Sequence, residues 1–227
     1  MGIKPIEMKK ILSLAIVLLA LVNVNAQQKI SEGIVVYSLS WNVPEQAQVM
    51  AANLPTEIQV YFKGDSSSMK IESQFFSMQS ILNTKKEYER LLLDIPMISK
   101  KYSVVFTPAD QEVEADKYPQ MSLKPSTESK VLNGFKASKF EVYEGKTNTK
   151  FNVWFTKEVD ITANPLSRFY EPSYGFPLEF TSFQNGMSVR ASVKEIQKTS
   201  VPAGVFSASK DYEEFSYAEL EQMRRRF

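Results

Sequence analysis

Apolar and polar residues alternate one for one in several separate segments of this 227-residue chain, and a period of two confines those segments to extended strands. Val35, Tyr37, Leu39 and Trp41 fall on one face of such a strand, with Ile34, Val36, Ser38 and Ser40 on the other. The second face begins apolar and ends polar, so one end of this strand is expected to be covered on both sides. Ile58, Val60 and Phe62 alternate with Glu57, Gln59 and Tyr61, and Lys63-Gly64-Asp65-Ser66 turns the chain into residues 69–73. Phe140 and Val142 alternate with Lys139, Glu141 and Tyr143. Gly145-Lys146-Thr147-Asn148 then leads to Phe151, Val153 and Phe155, opposite Asn152, Trp154 and Thr156. Asn133-Gly134 supplies a tight turn, and further strands are predicted at 178–183 and 187–197 around Asn185-Gly186.

Three stretches break the pattern. Residues 42–55 carry two prolines and read as a loop with a helical turn at 46–52. In the stretch 75–106, Tyr88, Leu91, Leu92 and Ile95 also fit the i, i+3, i+4, i+7 spacing of a helix, so residues 85–98 can be read either way; strands at 75–82, 87–93 and 102–106 form the better meander. Residues 107–126, with three prolines and several acids, read as an exposed connection. The C-terminus is helical: Ser216 and Glu219 form a capping box, Phe215 is placed to staple onto Leu220, and Leu220, Met223 and Phe227 make a narrow apolar stripe. Arg224, Arg225 and Arg226 in its last turn suit the helix dipole, either as solvated charges or as a contact for anionic lipid or a partner.

Residues 1–26 read as a cleavable export signal. Lys9 and Lys10 precede an apolar run from Ile11 to Val22, and Val24 and Ala26 stand at the −3 and −1 positions; Met8 is the natural start of this signal. The run is too short for a spanning helix, which needs roughly 20 residues. Cleavage leaves a single β-rich domain, 27–227, of formal charge near −1, expected to be soluble and periplasmic or secreted. A balance so near neutral offers no basic field for nucleic acid. Without cysteine there is neither a disulfide nor a lipid-acceptor thiol, and without histidine the commonest general base and metal ligand are missing. Triads built on histidine and zinc sites built on His or Cys are excluded.

No nucleotide-binding or nucleophile motif is present, so no catalytic residue, cofactor or metal ligand is assigned. Glu112, Glu114 and Asp116 alternate at period two, so an extended backbone would gather them on one face to raise a pKa or hold calcium; a solvated acidic loop explains them equally. Asp211, Glu213 and Glu214 read as favourable charges at the start of the C-terminal helix. The chain is rich in aromatics, with 15 Phe, 10 Tyr and 2 Trp. Either these pack one another or they line a cavity for an apolar ligand, for which Tyr37, Leu39, Trp41, Val60, Phe62, Val153, Trp154, Phe155 and Phe180 are the candidates.

Three segments carry a resemblance: Val153-Trp154-Phe155-Thr156-Lys157-Glu158, Asn164-Pro165-Leu166, and Gly175-Phe176-Pro177-Leu178-Glu179-Phe180, preceded by Lys130-Val131-Leu132-Asn133-Gly134-Phe135-Lys136-Ala137-Ser138-Lys139-Phe140. They resemble a family of exported bacterial proteins known only as a domain of unknown function. The layout is also similar to the GLPGLI family, whose Gly-Leu-Pro-Gly signature lies where Gly175-Phe176-Pro177-Leu178 stands without its second glycine. The first family often has a cysteine near Ala137, and its absence here argues against a thiol-based role. The resemblance implies a fold like that of the LolA and LppX lipoprotein carriers: mainly β with minor α, a strongly curved antiparallel half-barrel with a C-terminal helix. The function expected from it is binding of a lipid, another apolar ligand or an acylated protein on the concave face. The alternative is a cell-envelope interaction module with a closed core. Neither reading is enzymatic.

Overall fold

Several alternating segments pair with the next through short turns, among them Glu57–Lys63 with Ser66–Glu72 and Met121–Leu132 with Phe135–Glu144, and the turn residues carry the conformations that such reversals demand. Gly64, Asn133 and Gly134 all have positive φ, at 55°, 50° and 83°. The structure, a computed structural model, describes residues 28–43, 45, 54–73, 75–184 and 187–225. The expected export segment, the helical turn at 46–52, the Asn185-Gly186 turn, Arg226 and Phe227 lie outside the described residues.

The strands are β1 (Gln28–Lys29), β2 (Glu32–Asn42), β3 (Glu57–Lys63), β4 (Ser66–Glu72), β5 (Ser77–Asn83), β6 (Tyr88–Ile95), β7 (Lys100–Phe106), β8 (Met121–Leu132), β9 (Phe135–Glu144), β10 (Thr149–Thr156), β11 (Val159–Asp160), β12 (Phe176–Gln184), β13 (Met187–Gln197) and β14 (Glu213–Glu214). Helix α1 (Pro108–Asp116) follows β7, and helix α2 (Tyr217–Arg224) follows β14. Twelve strands form one open sheet in the order β14-β7-β6-β5-β4-β3-β2-β13-β12-β10-β9-β8. The sheet is mixed where an all-antiparallel one was expected, because β14 runs parallel to β7. A separate two-stranded parallel ladder joins β1 to β11. Among the described residues no helix is long and apolar enough to cross a membrane.

The register decides what each face holds. Val35 lies opposite Val60, Val60 opposite Met69, and Tyr37 opposite Val193, so one continuous apolar face runs across the middle of the sheet. A slip of one residue would carry that whole set into solvent. We call this the inner face; α2 packs on it too, with Leu220 against Leu91, Val104 and Phe106. Within 85–98 the central residues 88–95 are therefore strand, with Leu91 inward and Leu92 buried on the outer face, between a turn at 84–87 and a single 3-10 turn at Pro96–Ile98.

The connection from β11 to β12 covers the inner face. It is held by Asn164, only 1% exposed. The Asn164 side chain donates to the Tyr37 hydroxyl at 3.0 Å and accepts from the amides of Leu166 and Ser167 at 3.0 and 3.3 Å, while its own amide donates to the Ser167 hydroxyl. Irregular backbone can be buried here because these bonds satisfy it. At the end of the connection Gly175 has φ 107°, and a Cβ there would meet the Thr156 carbonyl at 2.4 Å. Two of the residues that carry the family resemblance thus have structural duties.

After β13 the tail crosses the outer face. The Val201 amide donates to Glu32, Gln79 donates to the Val205 carbonyl, and Asp211 pairs with Lys101 at 2.6 Å. β14 then extends the sheet beside β7, and Phe215 turns round the edge to stack on Tyr102 at 4.4 Å. Glu213 pairs with Lys100, so Asp211 and Glu213 pin the tail instead of serving the α2 dipole. The α2 capping box forms as expected.

Residues 107–126 are not one exposed connection. Thr107 and Asp110 make a capping box with Pro108 in the first turn, which starts α1, and β8 already begins at Met121. Pro125 is tolerated because β8 is an edge strand and its ladder shifts between Pro125 and Ser129.

Asn164→Ala removes the bond to the Tyr37 hydroxyl and orphans the Leu166 amide, while the Ser167 amide keeps the residue-164 carbonyl as acceptor at 3.0 Å. With roughly 1–3 kcal/mol for each buried group left unsatisfied, it should cost more than Tyr37→Phe, which disturbs one bond. Urea midpoints at constant slope measure the difference; equal losses would contradict this role for Asn164.

Candidate functional site

Seven of the nine residues expected to line an apolar cavity, namely Tyr37, Leu39, Val60, Phe62, Val153, Phe155 and Phe180, lie in the main core, none more than 7% exposed. Their rings meet edge to face: Tyr37 with Phe180 at 5.8 Å, Phe180 with Tyr170 at 5.7 Å, and Tyr170 with Phe155 at 5.6 Å. Tyr170 belongs to the connection after β11, and its hydroxyl donates to the Thr181 carbonyl. Burial pushes the Tyr37 and Tyr170 phenols far above their ordinary range, so both stay neutral. Trp41 is half-buried at the end of β2, donating from Nε1 to the Pro55 carbonyl at 2.7 Å. Trp154 stands on the opposite face from Val153 and Phe155, as strand alternation requires, beneath the Lys130 ammonium at 4.2 Å.

None of the nine lines either of the two cavities described here. The smaller, about 50 Å³, lies within the covering connection among Val159, Ile161, Tyr170 and Phe176 and has room for no more than a few waters. The larger, about 510 Å³, is a depression on the outer face of β8, β9 and β10. The pairing register places six polar side chains there in two rows: Lys124, Glu141 and Asn152, then Ser122, Tyr143 and Lys150. All six are exposed, and alternation points them away from the buried Val142 and Val153. Sequence reasoning missed this group, because it exists only once three strands are aligned.

The depression stands beside a rigid turn. Glu144 is only 1% exposed, yet its carboxylate accepts from the amides of Gln120, Lys146 and Thr147 at 3.0, 2.9 and 2.7 Å and from the Thr147 hydroxyl. These bonds, that of the Thr147 hydroxyl foremost, outweigh burial and hold the Glu144 carboxyl at about 2.

The other acids are also tied into the fold. α1 is a helix, so Glu112, Glu114 and Asp116 do not share one face; Glu114 points to α2, accepting from Tyr217 and Arg224 at 2.7 Å and from Lys117 at 2.8 Å. Partial burial pushes the Glu114 carboxyl up, but the bonds from Lys117 and Tyr217 and the Arg224 charge outweigh it and hold the group low. Arg224 is thereby engaged within the fold, by Glu114 and Glu221. Across the inner face Arg168 grips Glu89 through two bonds of 2.6 and 2.9 Å and lies over the Tyr118 ring. Among the described residues no three or more acids gather into an arrangement that could hold a metal.

No family model and no curated protein matches the sequence. Among solved structures the fold is similar to that of PNGF-II in space group C2, with a TM-score of 0.54 and 15% identity over 86% of this chain and 32% of that one. The chain thus spans about a third of the length of PNGF-II, and at this identity the likeness concerns fold alone.

The low Glu144 carboxyl makes a pH prediction. Its folded value lies below the ordinary 4.5, so its stabilisation is present above about pH 4.5 and lost as pH falls through about 2. Glu144→Gln should cost about 1–3 kcal/mol at pH 7 and little near pH 2. Denaturant midpoints of the two proteins across that range check it; a gap unchanged by pH would contradict the assignment.

Proposed function

We propose that the chain is an exported binding module of the cell envelope with a closed core, whose partner docks on the outer face of the sheet. The observation that carries this reading is the covering of the inner face. The connection anchored by Asn164 packs Tyr170 against Phe155 and Phe180, where an acyl chain would have to lie. Holding a lipid there would require lifting residues 161–175 off the sheet and breaking the Asn164–Tyr37 bond and the Arg168–Glu89 pair together. The polar depression on β8–β10 needs no such opening.

The resemblance to the LolA and LppX carriers enters this reading as architecture, a curved sheet wrapped on one side around smaller elements, and its cargo is not carried over. Export rests on residues 1–26. The assignment of binding in place of catalysis is supported by the absence of His and Cys from the sequence and by the use of Glu114 and Glu144 as structural acceptors.

Native mass spectrometry after mild purification should give the mass of the bare polypeptide, and a fluorescent fatty-acid probe should show no enhancement. A co-purified lipid, or probe binding that Phe155→Ala abolishes, would reverse the reading in favour of an apolar ligand. In parallel, the triple variant Lys124→Ala/Tyr143→Ala/Lys150→Ala should keep the parent melting temperature, since all three side chains are exposed, and should lose the stoichiometric partner retained from envelope extract.

A further inference from the structure

We propose that the depression on β8–β10 is a carbohydrate site that takes a short acidic oligosaccharide. This rests on the reading of the chain as a binding module with an outer-face partner.

The first argument is free bonding capacity. None of the side chains of Ser122, Lys124, Glu141, Tyr143, Lys150 and Asn152 makes a hydrogen bond, ion pair or ring contact with another group among the described residues. Their neighbours differ. Lys130 pairs with Glu179 at 2.8 Å and covers Trp154, Lys139 pairs with Glu128 at 2.7 Å, and Lys146 donates to the carbonyls of Asp116 and Tyr118. On this flank Lys130, Lys139 and Lys146 are engaged by the fold, while the ammonium groups of Lys124 and Lys150 in the depression, and of Lys136 farther along β9, are not.

Geometry supplies the second argument. β9 is the middle strand, and it places Tyr143 between Ser122 on β8 and Lys150 on β10, one row away from Lys124, Glu141 and Asn152. Strands lie about 4.8 Å apart and same-face residues about 6.6 Å apart along a strand, so the two rows of three cover an area of sugar dimensions. The volume, about 510 Å³, falls within the roughly 300–1,000 Å³ usual for ligand sites. A tyrosine 40% exposed at the centre of donors and acceptors suits a ligand with an apolar face and a rim of hydroxyls, which is the description of a pyranose. An acyl chain fits worse, because it would desolvate Lys124, Glu141 and Asn152 without replacing their hydrogen bonds.

Charge narrows the class. Two lysines against one glutamate leave the depression net positive, so a sugar bearing carboxylates is favoured over a neutral one. The platform is also braced, since the neighbouring Glu144 holds the turn after β9 through the amides of Lys146 and Thr147 and ties it to the start of β8 through that of Gln120.

Isothermal titration of the full chain with a galacturonate tetrasaccharide tests the proposal, with a neutral cello-tetrasaccharide and a tetraglutamate peptide as comparisons. The uronate should bind at low salt at least about tenfold tighter than either comparison. Tyr143→Ala should weaken it at least about fivefold, Lys150→Ala should weaken it and flatten its salt dependence, and Lys130→Ala should leave it unchanged. Preference for the peptide, equal binding of the neutral sugar, no binding of any probe, or affinity unaffected by Tyr143→Ala would each overturn the assignment. Those failures are distinct from failure of the underlying reading, which is registered by bound lipid or by a triple variant that still retains its envelope partner.

Discussion

The arrangement of this protein depends on one buried amide. An open sheet of this width leaves its apolar inner face to be covered, and the chain covers the centre with an irregular connection whose backbone must find hydrogen bonds away from water. Asn164 makes that affordable. Its side chain ties the connection to Tyr37 on β2 and caps the turn that brings Leu166 and Tyr170 onto the core. The closed aromatic stack of Tyr37, Phe180, Tyr170 and Phe155 follows from this anchor, and so does the reading of the inner face as core.

The remaining elements protect the sheet from the other side and at its margins. The tail crosses the outer face, where Ile81 and Leu92 are buried, and then caps the β7 edge with β14, held by lysine–carboxylate pairs that are individually weak in water. At the far margin β8 carries Pro125 and a register shift, both of which discourage another strand from adding to it. Between these protected regions, β8–β10 present polar side chains to solvent on a surface that the fold does not use for itself.

Much of the framework was legible in the sequence. Strict alternation in β2, β3, β9 and β10, the Gly64 and Asn133-Gly134 turns, and the Ser216–Glu219 cap depend on neighbours within a few residues, and each is found where the pattern put it. Helix α1 was hidden because its Thr107–Asp110 cap sits among prolines and acids whose period-two spacing imitates an extended loop. The connection over the core was hidden for a different reason: its anchor joins residues 127 positions apart and has no periodicity of its own. Glu144 defies the expectation that carboxylates sit in water, because three amides and a hydroxyl around the strand end replace the solvent. Trp154 was grouped with Val153 and Phe155 although alternation already placed it on the other face, and the six residues of the polar depression became a group only through strand register.

Whether the connection over the inner face is a fixed part of the core or a lid is decided most directly by native-state hydrogen exchange of the amides of Leu166, Ser167 and Arg168 against those of Val35 and Val60. A fixed connection predicts that the first group exchanges only with global unfolding, with the same denaturant dependence as β2 and β3. Fast local exchange of residues 166–168 while β2 and β3 stay protected would contradict the account, since it would mean that the connection opens and exposes an apolar face beneath it.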